Sequence, residues 1–132
     1  MNNILFVEGW RNITHSYAMV NQWQLLSFLE KRFFDIKFID APYLHSSWMP
    51  AGGLFTEKQE AKIRLLERPR KNEKPIAKYR INYPLDFSCS GDYPHFIFGT
   101  SEGKKLFLNQ SQDHARNESI SKDNIYIVTP SL

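Results

Sequence analysis

Cysteine is almost absent from this sequence. Cys89 stands alone among 132 residues, so neither a disulfide framework nor a cysteine metal cluster is available. No two of the 4 histidines have metal-ligand spacing, and no metal is expected. No apolar run is long enough to span a bilayer. No secretory leader is expected, because Ile4 to Val7 is short and Glu8 follows at once. A cytoplasmic, reducing location is the expectation, and the Asn-x-Ser/Thr triplets at Asn12, Asn109 and Asn117 are then chance matches. Charge of one sign is also scarce. A net charge of +3 favours anionic ligands mildly and gives no nucleic-acid groove. Gly-x-Gly-x-x-Gly, Walker A and Gly-x-Ser-x-Gly patterns are missing, which argues against a dinucleotide fold of the usual kind, a P-loop enzyme and a serine hydrolase elbow.

What remains is an ordinary globular composition, 42% hydrophobic and 23% charged, long enough for one domain with a real core. Aromatic residues reach 14%. Aromatics in loops line sugar or base sites, and they also simply pack.

The chain is organised around Asn3-Ile-Leu-Phe-Val-Glu-Gly-Trp-Arg-Asn-Ile-Thr-His-Ser-Tyr17. Ile4 to Val7 is continuously apolar, the mark of a parallel strand covered on both faces. Gly9 permits a sharp bend or a close approach. Asn12, Thr14 and Ser16 are candidate N-caps for a helix from about Ser16 to Arg32. Met19, Trp23 and Leu26, with Val20 and Leu29, repeat at helical spacing and predict its apolar face. Gln22, Gln24, Ser27, Glu30 and Lys31 fall on the other. Ile36 to Ile39 predicts a second strand ending at Asp40. The loop 41–55 holds Tyr43, His45 and Trp48, and loops this long are usually functional. Thr56 with Gln59 forms a capping box for a second helix reaching about Glu67. Strands are predicted over Ala77–Tyr83, His95–Phe98 and Ile125–Val128, the last one buried. The fold class is therefore α/β, an open and mostly parallel sheet flanked by helices. A domain seldom stops one turn after a buried strand, so the expectation is a single domain over 1–132 that forms the front of a longer protein.

In such sheets ligands sit outside the carboxyl ends of the strands. Those ends carry Glu8-Gly9-Trp10-Arg11, Asp40 to Tyr43, Pro84 to Asp86, Gly99 to Glu102 and Thr129 to Ser131. Arg11 at the start of a helix suits an anion, or is a solvated arginine. His15 is placed to act as a general base or to bind a hydroxyl or phosphate, or else contacts backbone. His45 beside Trp48 serves stacking or surface as readily as catalysis, while His95 and His114 read as structural or solvated. Asp86 and Glu102 follow separate strands. Asp86 suits a capping role, and Glu102 is evenly placed between the cleft and a cap.

Ile4-Leu-Phe-Val-Glu-Gly-Trp-Arg-Asn-Ile-Thr-His-Ser-Tyr-Ala-Met-Val-Asn-Gln22 resembles the opening of bacterial GT-B glycosyltransferases of the retaining, group 1 type. Asp40-Ala-Pro-Tyr43, Tyr79-Arg-Ile-Asn-Tyr-Pro-Leu-Asp-Phe87, Phe96-Ile-Phe-Gly-Thr-Ser-Glu102 and Ile127-Val-Thr-Pro-Ser131 follow in the same order. The resemblance implies a Rossmann-like, acceptor-side domain, the N-terminal half of a GT-B fold. Its partners would be a nucleotide-sugar donor, a sugar or lipid acceptor and a C-terminal donor-binding domain, with peripheral membrane association and no cofactor. His15 and Glu102 would be catalytic. Gly9, Trp10, Arg11, Ser16, Tyr43 and Thr100 would contact substrate. The acidic donor-binding motif of that family lies outside this sequence, so the chain alone is expected not to transfer sugar. The second expectation is a stand-alone glycan- or nucleotide-binding module, and the third, weakest, is a small carboxylate-dependent hydrolase.

Overall fold

The computed structural model describes residues 2–43, 45, 47–81, 88, 91–99 and 125–128. Among these residues, five strands form one sheet in the order β2-β1-β3-β4-β5. They are β1 (Ile4–Gly9), β2 (Asp35–Asp40), β3 (Ala77–Ile81), β4 (His95–Phe98) and β5 (Ile125–Val128), with helices α1 (Ser16–Lys31) and α2 (Glu57–Arg64). Every pairing is parallel. This is an open, Rossmann-like α/β sheet. β1 lies between β2 and β3, with Gly9 level with Asp40 on one side and Ile81 on the other. The strand order reverses between β1 and β3, and crevices for ligands open at such a reversal.

The alternation along β1 explains its burial on both faces. Leu5 and Val7 point to the same face as Ile36, Phe38, Ala77 and Tyr79, where Leu25 from α1 and Ile63 from α2 complete a core cluster. Glu8 and Phe6 point the other way. Glu8 receives Lys78 Nζ at 3.1 Å and Arg80 Nε at 2.6 Å, and Arg80 Nη1 also donates to the Ser88 carbonyl at 2.5 Å. Phe6 meets Tyr93 edge-on, and Tyr93 stacks on His95. Burial of Lys78 and Arg80 is tolerated because the Glu8 carboxylate lies between them.

α2 starts as its sequence predicts. Thr56 accepts from Gln59 N, and the Gln59 side chain accepts from Thr56 N, a reciprocal cap that closes two otherwise unpaired donors. Glu60 adds to it by accepting the N–H groups of Leu54 and Phe55. The helix stops at Arg64, short of Glu67, because the following chain turns to run beside β2, where Phe38 N donates to Glu67 O at 2.8 Å.

Two expectations are corrected. The buried residues of α1 are Ala18, Asn21, Gln22 and Leu25, so the helix is rotated from the face that Met19, Val20 and Trp23 predict. Trp23 is 57% exposed and leans on Phe55, whereas Gln22 is 1% exposed. The physical reason lies in the turn before the helix, described below. β5 is not a buried strand either. It stands at the sheet edge with Tyr126 and Ile127 about half exposed. Thr100, Glu102, Asp86 and Thr129 to Ser131 lie outside the described residues. Among those described, no helix is long and apolar enough to cross a membrane.

Gly9 is required by contact rather than by backbone twist. A Cβ there would lie 2.7 Å from Asn21 Nδ2 and 2.7 Å from the Ile81 carbonyl oxygen. One neighbour is backbone in the adjacent strand, so relief is restricted. Gly9→Ala is expected to destabilise the fold by about 1–3 kcal/mol. Gly52→Ala, with nothing within 4 Å of its added carbon, should stay within about 0.5 kcal/mol of wild type. Urea unfolding of the two variants checks this, and equal midpoints would contradict it.

Candidate functional site

The turn between β1 and α1 is built from residues 10–15. Its backbone polar groups are met by side chains from α1. Gln22 Oε1 accepts the Asn12 N–H at 3.0 Å, and Gln22 Nε2 donates to the carbonyls of Ile13 and Ala18 at 3.3 and 3.1 Å. Asn21 Nδ2 donates to the Trp10 carbonyl at 3.1 Å. Buried backbone groups left unpaired cost about 1–3 kcal/mol each. That cost favours the amide face of α1 against the turn and leaves Trp23 outside. Asn12 itself has φ +65°, a left-handed conformation that asparagine adopts more readily than most residues.

The cap of α1 is His15, not Asn12, Thr14 or Ser16. Its backbone is non-helical, and its Nδ1 accepts the Tyr17 N–H at 3.2 Å. That bond puts the proton of the neutral ring on Nε2. The ring is enclosed by Trp10 at 4.9 Å, Trp48 at 5.4 Å and Tyr17 at 5.9 Å between centroids. Burial pushes its pKa below the usual imidazole value. Of the roles expected for His15, the geometry favours hydroxyl binding. A neutral ring protonated at Nε2 donates, whereas a general base needs a free lone pair there.

The long loop after β2 is pinned to this turn. Ala51 N donates to the Asn12 carbonyl at 2.6 Å, and Ala41 N donates to the Gly9 carbonyl at 3.0 Å. The Trp10 indole N–H donates to the Pro42 carbonyl at 2.9 Å, and the Tyr43 hydroxyl donates to the Arg11 carbonyl at 3.3 Å. Trp10, Ile13, Ala18 and Ala41 form a buried apolar cluster, with Tyr17, Tyr43 and Trp48 packed on it.

Between turn and loop lies a cleft of about 410 Å³, within the usual range for small-ligand sites. Thr14, His15, Ser47 and Trp48 supply its polar and aromatic groups, with Ile13, Met49 and Ala51 between them. Among the described residues that the resemblance assigns to the site, only His15 lines it. Gly9 and Trp10 are buried beneath it. Ser16 is the exposed first residue of α1.

Arg11 is engaged elsewhere. Its Nε and Nη2 grip both Asp40 oxygens at 2.8 and 2.9 Å. Its Nη1 donates to the Ile63 carbonyl at 2.8 Å, with Leu66 O further off at 3.4 Å. The guanidinium also covers the Phe38 ring at 4.7 Å. It thus closes the C-terminus of α2, where a cation suits the helix dipole. Tyr43 lies one step along the rim, its hydroxyl pKa raised first by burial and then by Asp40.

No family model, curated protein or solved structure matches this chain. Sequence reasoning missed Asn21 and Gln22, whose polarity reads as solvent-facing. It also passed over Thr14, Ser47 and Met49 as cleft residues. The one available signal was the dense polar spacing of Asn12, Thr14, Asn21 and Gln22 around a single short turn.

The His15 cap predicts an acid sensitivity. With its folded pKa depressed, the native state binds fewer protons than the unfolded chain below the ordinary histidine range. Stability is full above about pH 6.5 and falls as the pH drops from there toward the lower folded value. His95 shifts the same way, mainly through burial. His15→Asn keeps a capping side chain without the titration. Its loss of melting temperature between pH 7.5 and 5 should be smaller than that of wild type. An identical loss would contradict the assignment.

Proposed function

We propose that this chain is the acceptor-side domain of a glycosyltransferase and that the cleft beside the β1–α1 turn receives a saccharide. The observation that carries the reading is the cleft lining: the Trp48 ring, the His15 ring and the hydroxyls of Thr14 and Ser47 around one hollow. Saccharides offer apolar C–H faces that pack on an aromatic ring and hydroxyls that seek fixed donors and acceptors. His15 Nε2–H is such a donor, held in place by its own cap bond to Tyr17. The cleft also lies among the segments that follow the carboxyl ends of β1 and β2, on the sheet edge that carries ligands in open α/β folds, beside the β1–β3 reversal and not in it.

In this reading a second domain supplies the nucleotide-sugar donor, and His15 and Glu102 are the candidates for the reaction step. A second reading, a glycan-binding module without catalysis, is favoured by the same His15 geometry. A ring that caps with Nδ1 and carries its proton on Nε2 is a binding group before it is a base.

Calorimetric titration of the chain with short oligosaccharides and with nucleotide-sugars is the test. Saccharide binding is expected, weakened about fivefold by Trp48→Ala, since an aromatic contact of this kind contributes about 1 kcal/mol. No sugar transfer is expected from the chain alone. Absence of any saccharide binding would overturn both readings.

A further inference from the structure

A second hollow adjoins the first. It occupies about 330 Å³ at the carboxyl end of β2, lined by Asp40, Ala41, Pro42, Tyr43 and Arg68. Tyr43 belongs to this hollow and Trp48 to the first, with ring centroids 6.1 Å apart. The two spaces are therefore neighbours across one aromatic pair, within reach of adjoining units of one ligand.

Their charges differ. The described lining of the first hollow has no carboxylate, lysine or arginine. The second has one acid and one base. The acid is already matched, because both Asp40 oxygens accept from Arg11. Arg68 is exposed, and no ion pair or hydrogen bond engages its side chain among the described residues. One positive charge is left over in a hollow walled by a phenol. A guanidinium is a planar fork whose geometry matches carboxylate or phosphate.

We infer that the ligand is an anionic saccharide: a sugar ring against Trp48 in the first hollow, and a carboxylate or phosphate held by Arg68 in the second. This rests on the reading of the first hollow as a saccharide site. It adds the charge of the ligand and the residue that recognises it. Arg11, the arginine that the sequence offers for an anion, is closed by Asp40 and the end of α2. Arg68 takes that role from the connection after α2.

The experiment compares three probes by calorimetry on the 132-residue chain: maltotriose, trigalacturonate and maltose 1-phosphate. At least one anionic probe should bind about tenfold more tightly than maltotriose, with a preference that shrinks as salt is raised. The tighter of the two anionic probes identifies the anion. Arg68→Gln should bring the anionic probes down to the affinity of maltotriose for the same variant, and Arg68→Lys should retain part of the preference. Equal binding of all three probes would overturn the anionic inference and leave the saccharide site standing. A preference that survives Arg68→Gln would overturn the role of Arg68. Failure of all three to bind would overturn the saccharide reading as well.

Discussion

Two side-chain amides hold the turn on which the cleft is built. A strand that passes directly into a helix leaves a few backbone groups in between that neither element can pair. Gln22 meets Asn12 and Ile13, and Asn21 meets Trp10. Both amides come from the second turn of α1, so the helix cannot rotate without releasing them. That constraint sets which face of α1 is buried. It draws Gly9 against Asn21 so closely that no side chain fits there. It also positions His15 to cap the helix while its ring lines the cleft.

A second tie joins this turn to the other half of the site. Arg11 couples β1 to Asp40 at the end of β2 and to the last carbonyls of α2. The loop between those elements is fastened to the same turn by Ala41, Pro42, Tyr43 and Ala51. The cleft thus has a wall from the β1–α1 turn and a wall from the loop after β2, each held by hydrogen bonds to the other. A site assembled this way is largely formed before a ligand arrives, which reduces the ordering cost of binding. Trp48 extends the arrangement by packing on Trp10 and His15.

Much of the fold was legible in the sequence. Ile4 to Val7 is an apolar run and Ile36 to Ile39 an apolar stretch broken by Lys37; both are too short for helices and lie in parallel strands. Thr56 and Gln59 announced α2 through a cap that depends only on local spacing. The face of α1 was not legible. Hydrophobic periodicity assigns the core to apolar residues, and it fails where a helix must spend its buried face on backbone groups of a neighbouring turn. The site was legible in part. His15, Tyr43 and Trp48 were singled out, and the structure brings His15 and Trp48 to one hollow and Tyr43 to the next. Trp10 and Arg11 stood out equally in the sequence. Their positions are set by partners 29 to 52 residues away, a distance over which local patterns carry no information.

Amide hydrogen exchange at Asn12 examines the dependence on Gln22 most directly. A loop residue before a helix ordinarily exchanges quickly, whereas an N–H bonded to a buried side-chain oxygen opens only with the surrounding structure. The account requires Asn12 to be protected to a degree comparable with Val7 in the centre of β1. Exchange of Asn12 as rapid as that of Gly52, in the open part of the loop, would show that the turn does not depend on the amide and would contradict the account.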